Sequence, residues 1–231
     1  MAQLARVTPT RLPLFPLPLV LFPGATLPLH IFEPRYRALI ADCRADDGRW
    51  DGRFGIVLAT PGPERAMPAG RVGCIAVLRD VRLLPDGRSN VVVEGERRFA
   101  LARFVDDPAP YHVAEVHAWD DAPDGADLDA VAVRALDAEV RALFARVAQA
   151  ARRIADDATP PPALPDDPAA LAFAVAAAID FDNALRQRLL AERSPRARLE
   201  EVAPLLRHAV DAIETRAAVH ERARSNGHGP H

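Results

Sequence analysis

At 231 residues, 49% hydrophobic and 26% charged, the chain has an ordinary globular composition, with length for one large domain or two small ones. Its net charge of -3 and pI near 6.2 lack the strong positive balance of a protein held to nucleic acid through phosphates, so nucleic acid is not the expected partner. All 29 basic residues are arginine, which excludes a P-loop lysine, a Schiff base and a Ser-Lys dyad.

The apolar stretch from Leu12 to Phe32 is cut by Pro13, Pro16, Pro18, Pro23 and Pro28 and has no convincing A-x-A site. It reads as neither a secretion signal nor a membrane span of about 20 apolar residues. Cys43 and Cys74 stand apart with no CxxC pair, so a reducing compartment fits and a cytoplasmic location is expected. Pro34 to Arg44 reads as a helix with proline at its first position. Phe54 to Ala59 is a continuous apolar run of strand length. Val77 to Leu84 and Val91 to Glu94 flank Pro85-Asp86-Gly87, a hairpin loop. Further strands are expected at Arg98 to Phe104 and His112 to Ala118. Arg97 and Arg98, beside Glu94 and Glu96, read as a solvated strand edge. Short strands with one helix indicate a small closed or nearly closed barrel.

The polar break Asp120 to Gly125 separates this half from an Ala-, Leu- and Arg-rich one. Leu128, Ala132, Leu136, Val140, Leu143 and Val147 recur at helical spacing along one long amphipathic helix, which ends at Asp156 to Pro165. Asp167 and Pro168 open a second helix, Ala169 to Ile179, apolar nearly all round and hence buried in a bundle. A short helix at about Asn183 to Ala191 follows, and Ser194-Pro195 starts a last helix toward Arg222, kinked or interrupted at Pro204. The organisation expected is α+β: a barrel over 1–122, a helical bundle over 123–224 and a disordered tail over 225–231.

Leu14-Phe15-Pro16-Leu17, Leu21-Phe22-Pro23-Gly24 and Leu27-Pro28-Leu29-His30-Ile31-Phe32-Glu33-Pro34-Arg35-Tyr36 resemble the opening signature of the Lon N-terminal substrate-binding domain family. Gly73-Cys74-Ile75-Ala76, Leu84 to Arg88, Val93-Glu94-Gly95 and Arg97-Arg98-Phe99 follow in that family's order, so the resemblance covers roughly residues 10 to 215. It implies a six-stranded, PUA-like β pseudo-barrel followed by an α-helical bundle, which in Lon recognises unfolded or damaged polypeptides. Nothing in this sequence matches G-x-x-x-x-G-K-[ST], and Ser89, Ser194 and Ser225 have no peptidase context. The expectation is therefore a non-catalytic, stand-alone polypeptide-recognition or adaptor module that needs no cofactor or metal. Its expected partners are unfolded polypeptides and a separate ATP-dependent protease or chaperone.

The residues assigned to polypeptide binding are Phe32, Glu33, Arg35 and Tyr36, at the strand-to-helix junction. The plainer reading gives the charges a structural role at the helix N-terminus and gives Phe15, Phe22 and Phe32 first to the core, with a minority surfacing as an apolar groove. RNA binding by a PUA-like barrel is the alternative, through a basic face of Arg35, Arg37, Arg44, Arg49 and Arg53. A small-molecule or hydrolytic site ranks last. His112 and His117 alternate to opposite faces of a strand. His208 and His220 would lie about 18 Å apart on one helix, and neither pair holds a metal.

Overall fold

The structure, a computed structural model, describes residues 10–45, 48–122, 128–155, 157, 159–161 and 163–226. In chain order the elements are β1 (Thr10–Leu17), β2 (Thr26–Ile31), α1 (Pro34–Cys43), β3 (Arg53–Leu58), a 3-10 turn (Glu64–Ala66), β4 (Val72–Leu83), β5 (Ser89–Val105), β6 (Val113–Ala118), α2 (Leu128–Ala155), α3 (Pro168–Ala178), α4 (Asn183–Ala191) and α5 (Pro195–Asn226). The fold is α+β. Two compact units divide the chain: one takes in Met1–Asp121 and Ile179–Arg193, the other Ala122–Ala178 and Ser194–His231.

In the first unit the strand order is β2-β5-β4-β3-β1-β6, and β6 pairs back onto β5, so the sheet closes on itself. Closure depends on the length of β5. Ser89 to Glu94 pairs with β2, and Phe99 to Val105 pairs with β6. The β1–β3 pair is parallel and the others are antiparallel. The segments expected as separate strands at Val91 and Arg98 are one strand. Register shifts at Cys74/Ala76, Leu78/Asp80 and Leu101/Arg103 break the alternation a sequence pattern relies on.

Prolines hide β1 and β2 from a reading by pattern. In β1, Thr10 to Pro13 pairs with β6 and Leu14 to Leu17 with β3, so neither Pro13 nor Pro16 needs a donor on both edges. In β2 the Ala25 carbonyl accepts the Gly95 N–H at 2.9 Å. Alternation then turns Leu27, Leu29 and Ile31 toward β5 and leaves Thr26, Pro28 and His30 facing the free edge.

Two buried clusters fill this unit. One brings Phe15, Ile31, Phe54, Ile56, Val91 and Val93 against Tyr36, Leu39, Ile40 and Cys43 of α1. The other joins Leu12, Leu14, Val57, Ile75, Phe99 and Val116. Phe99 fits because Gly73 has no side chain: a Cβ there would lie 2.5 Å from Phe99 Cζ and 2.6 Å from the Ile56 carbonyl oxygen. Gly95 is equally constrained, since a Cβ would meet the Phe22 carbonyl oxygen at 2.1 Å.

Helix α4, expected in the bundle, packs with the barrel. It buries Leu185, Leu189 and Leu190, Asn183 Nδ2 donates to the Pro18 carbonyl at 2.9 Å, and Gln187 Nε2 donates to the Val72 carbonyl at 2.9 Å. Asp182 caps it by accepting the Leu185 N–H at 2.8 Å.

In the second unit the caps fall where expected: Asp167 accepts the Ala169 N–H at 2.9 Å and Ser194 Oγ accepts the Ala197 N–H at 3.0 Å. Helix α5 runs through Pro204 without interruption and includes Ser225 and Asn226, which the sequence reading put in the tail. Residues 227–231 and 123–127 lie outside the described residues. Arg207–Glu139 at 2.6 Å and Arg146–Glu214 at 2.9 Å are seven residues apart on both helices, so α2 and α5 run parallel with a heptad spacing. Helix α3 buries Leu171, Ala172, Phe173, Val175 and Ala176. Arg198, wholly buried, donates to the Ala169 carbonyl at 2.7 Å and covers the Phe173 ring at 4.2 Å.

Candidate functional site

Pro34 sets the first position of α1 directly after β2, and this abrupt junction separates the four expected binding residues. Ile31 ends β2 inside the core, and the next residue, Phe32, stands 59% exposed with its ring 6.2 Å from that of His30. Tyr36 is buried, stacked on Phe15 with ring centroids 3.8 Å apart. Burial pushes its phenol pKa up, reinforced by Glu64. Between them, Arg35 makes two parallel bonds to Glu64, both 2.9 Å, a third to Glu33 at 3.1 Å, and roofs the Tyr36 ring at 4.4 Å. Phe32 is thus the member that can touch a partner with its whole face. Glu33 and Arg35 form a half-exposed rim, and Tyr36 is support.

Glu64, on the 3-10 turn, is the residue the sequence reading missed. Besides Arg35 it meets His112 Nε2 at 3.1 Å, and Phe104 sits edge-on to His112 at 5.5 Å. Burial works most strongly against charge on Arg35, but Glu64, Tyr36 and Glu33 together outweigh it and its pKa is raised. At His112, by contrast, burial wins: its pKa is lowered, Glu64 opposing and Arg65 and Arg35 adding. The start of α1, the 3-10 turn and the approach to β6 are thereby fastened together behind Phe32. No periodicity marks Glu64, whose partners lie 29 and 48 positions away along the sequence.

His30 also opens onto a shallow basin of about 410 Å³ on the outer face of β2, β5 and β4, with Asn90, Asp80, Arg82 and Val92 in its floor and walls. His30 Nδ1 and Asn90 Oδ1 are 2.7 Å apart. Phe32, the basin and the free edge of β2 therefore make one continuous surface. That edge is blunted at its centre, where Pro28 has no N–H to offer a pairing strand.

Two expectations need correction. The basic face does not form: Arg35 is held by Glu64 and Glu33, Arg49 by Asp107 at 2.6 Å, and Arg53 by Glu96 at 3.1 Å and Asp51 at 2.5 Å. Among the described residues, Arg37 and Arg44 are the members of that set with no carboxylate in ion-pair contact. Arg98, read as a solvated edge residue, is 5% exposed; it donates to the carbonyls of Leu190 at 2.8 Å and Glu192 at 2.6 Å and to Asp121 at 2.5 Å. Both cysteines are buried and their thiols are pushed up to about 12 by that burial. Among the described residues no helix is long and apolar enough to cross a membrane.

Comparison with known proteins agrees with this architecture. The sequence model of the ATP-dependent protease La (LON) substrate-binding domain matches residues 11–208. Lon protease 1 of Syntrophobacter fumaroxidans is 26% identical over 219 residues, which is 92% of this chain and 26% of that protein. A Lon protease of Anaeromyxobacter dehalogenans is 30% identical over 206 residues, 86% of this chain and 23% of that protein. The chain thus spans about a quarter of these relatives, and the family match is to the substrate-binding domain, not to the protease or ATPase domains. The crystal structure of a Lon N-terminal domain protein from Xanthomonas campestris superposes with a TM-score of 0.58 at 28% identity, covering 84% of this chain and 96% of that one. The N-terminal domain of Mycobacterium avium complex Lon protease has the same fold, with a TM-score of 0.61 at 23% identity over 87% of this chain and 98% of that one. With the closed barrel, the helical unit and an 11–208 match all in agreement, the chain belongs to the Lon substrate-binding domain family.

Proposed function

We propose that this protein is a non-catalytic polypeptide-recognition module that captures apolar segments of unfolded chains on the surface running from Phe32 through His30 into the basin. Captured chains would pass to an ATP-dependent protease or chaperone. The observation that carries the reading is Phe32: an aromatic ring 59% exposed, on a junction locked from behind by the Arg35–Glu64 pair. A partner side chain packing on Phe32 gains contact without the ordering cost a mobile aromatic would carry. Pro28 turns the mode of binding toward side chains and away from continuous strand addition, which suits weak, sequence-tolerant capture.

Burying a whole phenylalanine is worth about 1.5–3 kcal/mol, so covering the 59% that is exposed corresponds to roughly 1–2 kcal/mol, or about 5–30-fold in affinity. Titration of a reduced, permanently unfolded polypeptide into the labelled protein should shift backbone NMR signals at Thr26 to Tyr36 and Asp80 to Val92. Phe32→Ser should weaken binding by that factor, and Val219→Ser, at an equally exposed site on α5, should not. A spectrum that stays silent, or a Phe32→Ser protein that binds as well as the parent, would sink the reading.

A further inference from the structure

The basin beside Phe32 carries charge that the barrel itself does not neutralise. Its wall is laid out in two rows across three strands. His30 of β2 pairs with Asn90 of β5, and Asn90 with Arg82 of β4; one step along, Pro28 pairs with Val92 and Val92 with Asp80. All six residues line the same basin. Of the three arginines between Leu78 and Asn90, Arg79 is held by Glu94 at 2.8 Å and Arg88 by Asp86 at 2.6 Å. Arg82 and Asp80 are exposed, and among the described residues neither side chain has an ion-pair or hydrogen-bond partner.

The 2.7 Å bond from His30 Nδ1 to Asn90 Oδ1 takes up the acceptor of the Asn90 amide, so the imidazole is its donor. The Nδ2 N–H groups of Asn90 remain, on the residue directly opposite Arg82. A guanidinium and an amide N–H pair on adjoining strands of one open basin are donors whose complement is a carboxylate. This row is also the nearer one to Phe32, because it contains His30, whose ring lies 6.2 Å from that of Phe32. Asp80, in the further row, repels a second anion at the opposite end. A chain-end carboxylate is typically captured by a cradle of backbone N–H groups, but here the backbones of β4 and β5 are engaged in strand pairing. Side-chain donors in an open basin suit instead an acidic side chain within a passing segment. Cross-strand neighbours lie about 5 Å apart, which puts Arg82 about 10 Å from His30. An extended segment covers that distance in about three residues.

We propose that the basin gives this surface a charge preference: of the apolar segments that pack on Phe32, it selects those carrying a glutamate or aspartate about three residues from the apolar anchor, the carboxylate accepting from Arg82 and Asn90. Selection of this kind rests on the polypeptide-recognition function proposed above. The test titrates the full chain, at low ionic strength, with unstructured peptides blocked at both ends. Each peptide carries one apolar anchor and, about three residues away, glutamate, glutamine or lysine. The glutamate peptide should bind about five-fold more tightly than the glutamine peptide, the difference between a charge-assisted and a neutral hydrogen bond, and the lysine peptide more weakly than either. Added salt should shrink that ratio. Arg82→Gln should bring it to about one, whereas Phe32→Ser should weaken all three peptides. Equal affinity for the glutamate and glutamine peptides, with Phe32→Ser still weakening both, would overturn the carboxylate preference and leave apolar capture standing. Binding of none of the peptides would overturn both. A five-fold ratio that persists in Arg82→Gln would overturn the assignment to this basin, and a lysine preference abolished by Asp80→Asn would overturn its sign.

Discussion

Replacing Arg98 by alanine tests how α4 is held to the barrel. Its guanidinium reaches three acceptors, the carbonyls of Leu190 and Glu192 and the carboxylate of Asp121, from a side chain that is 4% exposed. Removing one partner of a buried ion pair costs about 3–5 kcal/mol. Asp121 is 31% exposed and recovers part of its hydration, so the low end, about 3 kcal/mol, is expected. For a chain of this size that corresponds to a fall of roughly 6–12 °C in melting temperature. The loss should appear first as faster hydrogen exchange at the amides of Asn183 to Ala191, because the bonds removed end on that helix. Arg97→Ala, one residue away on the solvent side of the strand, should change stability by no more than about 0.5 kcal/mol. If the two variants are equally stable, or if exchange in α4 is unchanged in Arg98→Ala, the clamp does not hold the helix.

Gly73→Ala should destabilise by about 1–3 kcal/mol or more in urea unfolding, since its Cβ would lie 2.5 Å from a packed Phe99 ring and 2.6 Å from a backbone oxygen; a neutral result would mean that Phe99 can move aside. His112 has a folded pKa below the usual 6.5, so the stability linked to it is fully present above that value and is lost as pH falls below it toward the lower folded value. His112→Gln should flatten the stability profile between neutral and mildly acidic pH, and an unchanged slope would refute the linkage. The buried thiols of Cys43 and Cys74, pushed up to about 12, should label with iodoacetamide only as fast as the barrel opens, so labelling at the rate of a free thiol in the native protein would contradict their burial.

Much of the fold was legible where sequence and local chemistry agree. Pro34, Asp167-Pro168 and Ser194-Pro195 each mark a helix start that the structure keeps, and the Pro85-Asp86-Gly87 loop joins β4 to β5, with Gly87 at φ +80°. Strands were missed where pairing is non-local. Pro13, Pro16 and Pro28 argue against strands unless one knows that each proline faces an edge with no partner. Assignment of Arg98 failed for the same reason, because an arginine in a charged run looks solvated until a helix residue 92 positions further along brings its carbonyl to it. At the candidate site the order was partly reversed. The motif drew attention to Phe32, Glu33, Arg35 and Tyr36, but only the register of β2 shows that Phe32 faces out and Tyr36 in, and only tertiary packing brings Glu64 and His112 behind them.

The blunted edge of β2 bears directly on how such a surface could handle unfolded chains. A free strand with every N–H and C=O available would recruit any extended segment through backbone bonds, a mode prone to aggregation because it does not discriminate and accumulates along the strand. Here the only edge-facing N–H groups lie at Thr26 and His30, two residues to either side of Pro28, so an added strand could not form an uninterrupted ladder. Phe32 and the basin offer instead a small side-chain contact on a fixed frame, a mode suited to weak attraction and easy release. Pro28→Val would restore the missing donor. If Pro28 is what keeps strand addition out, that variant should bind unfolded polypeptide more tightly, release it more slowly and aggregate with it, measured by dissociation kinetics and light scattering. If binding and release were unchanged by Pro28→Val yet weakened by Phe32→Ser, the edge would play no part and the aromatic surface alone would account for recognition.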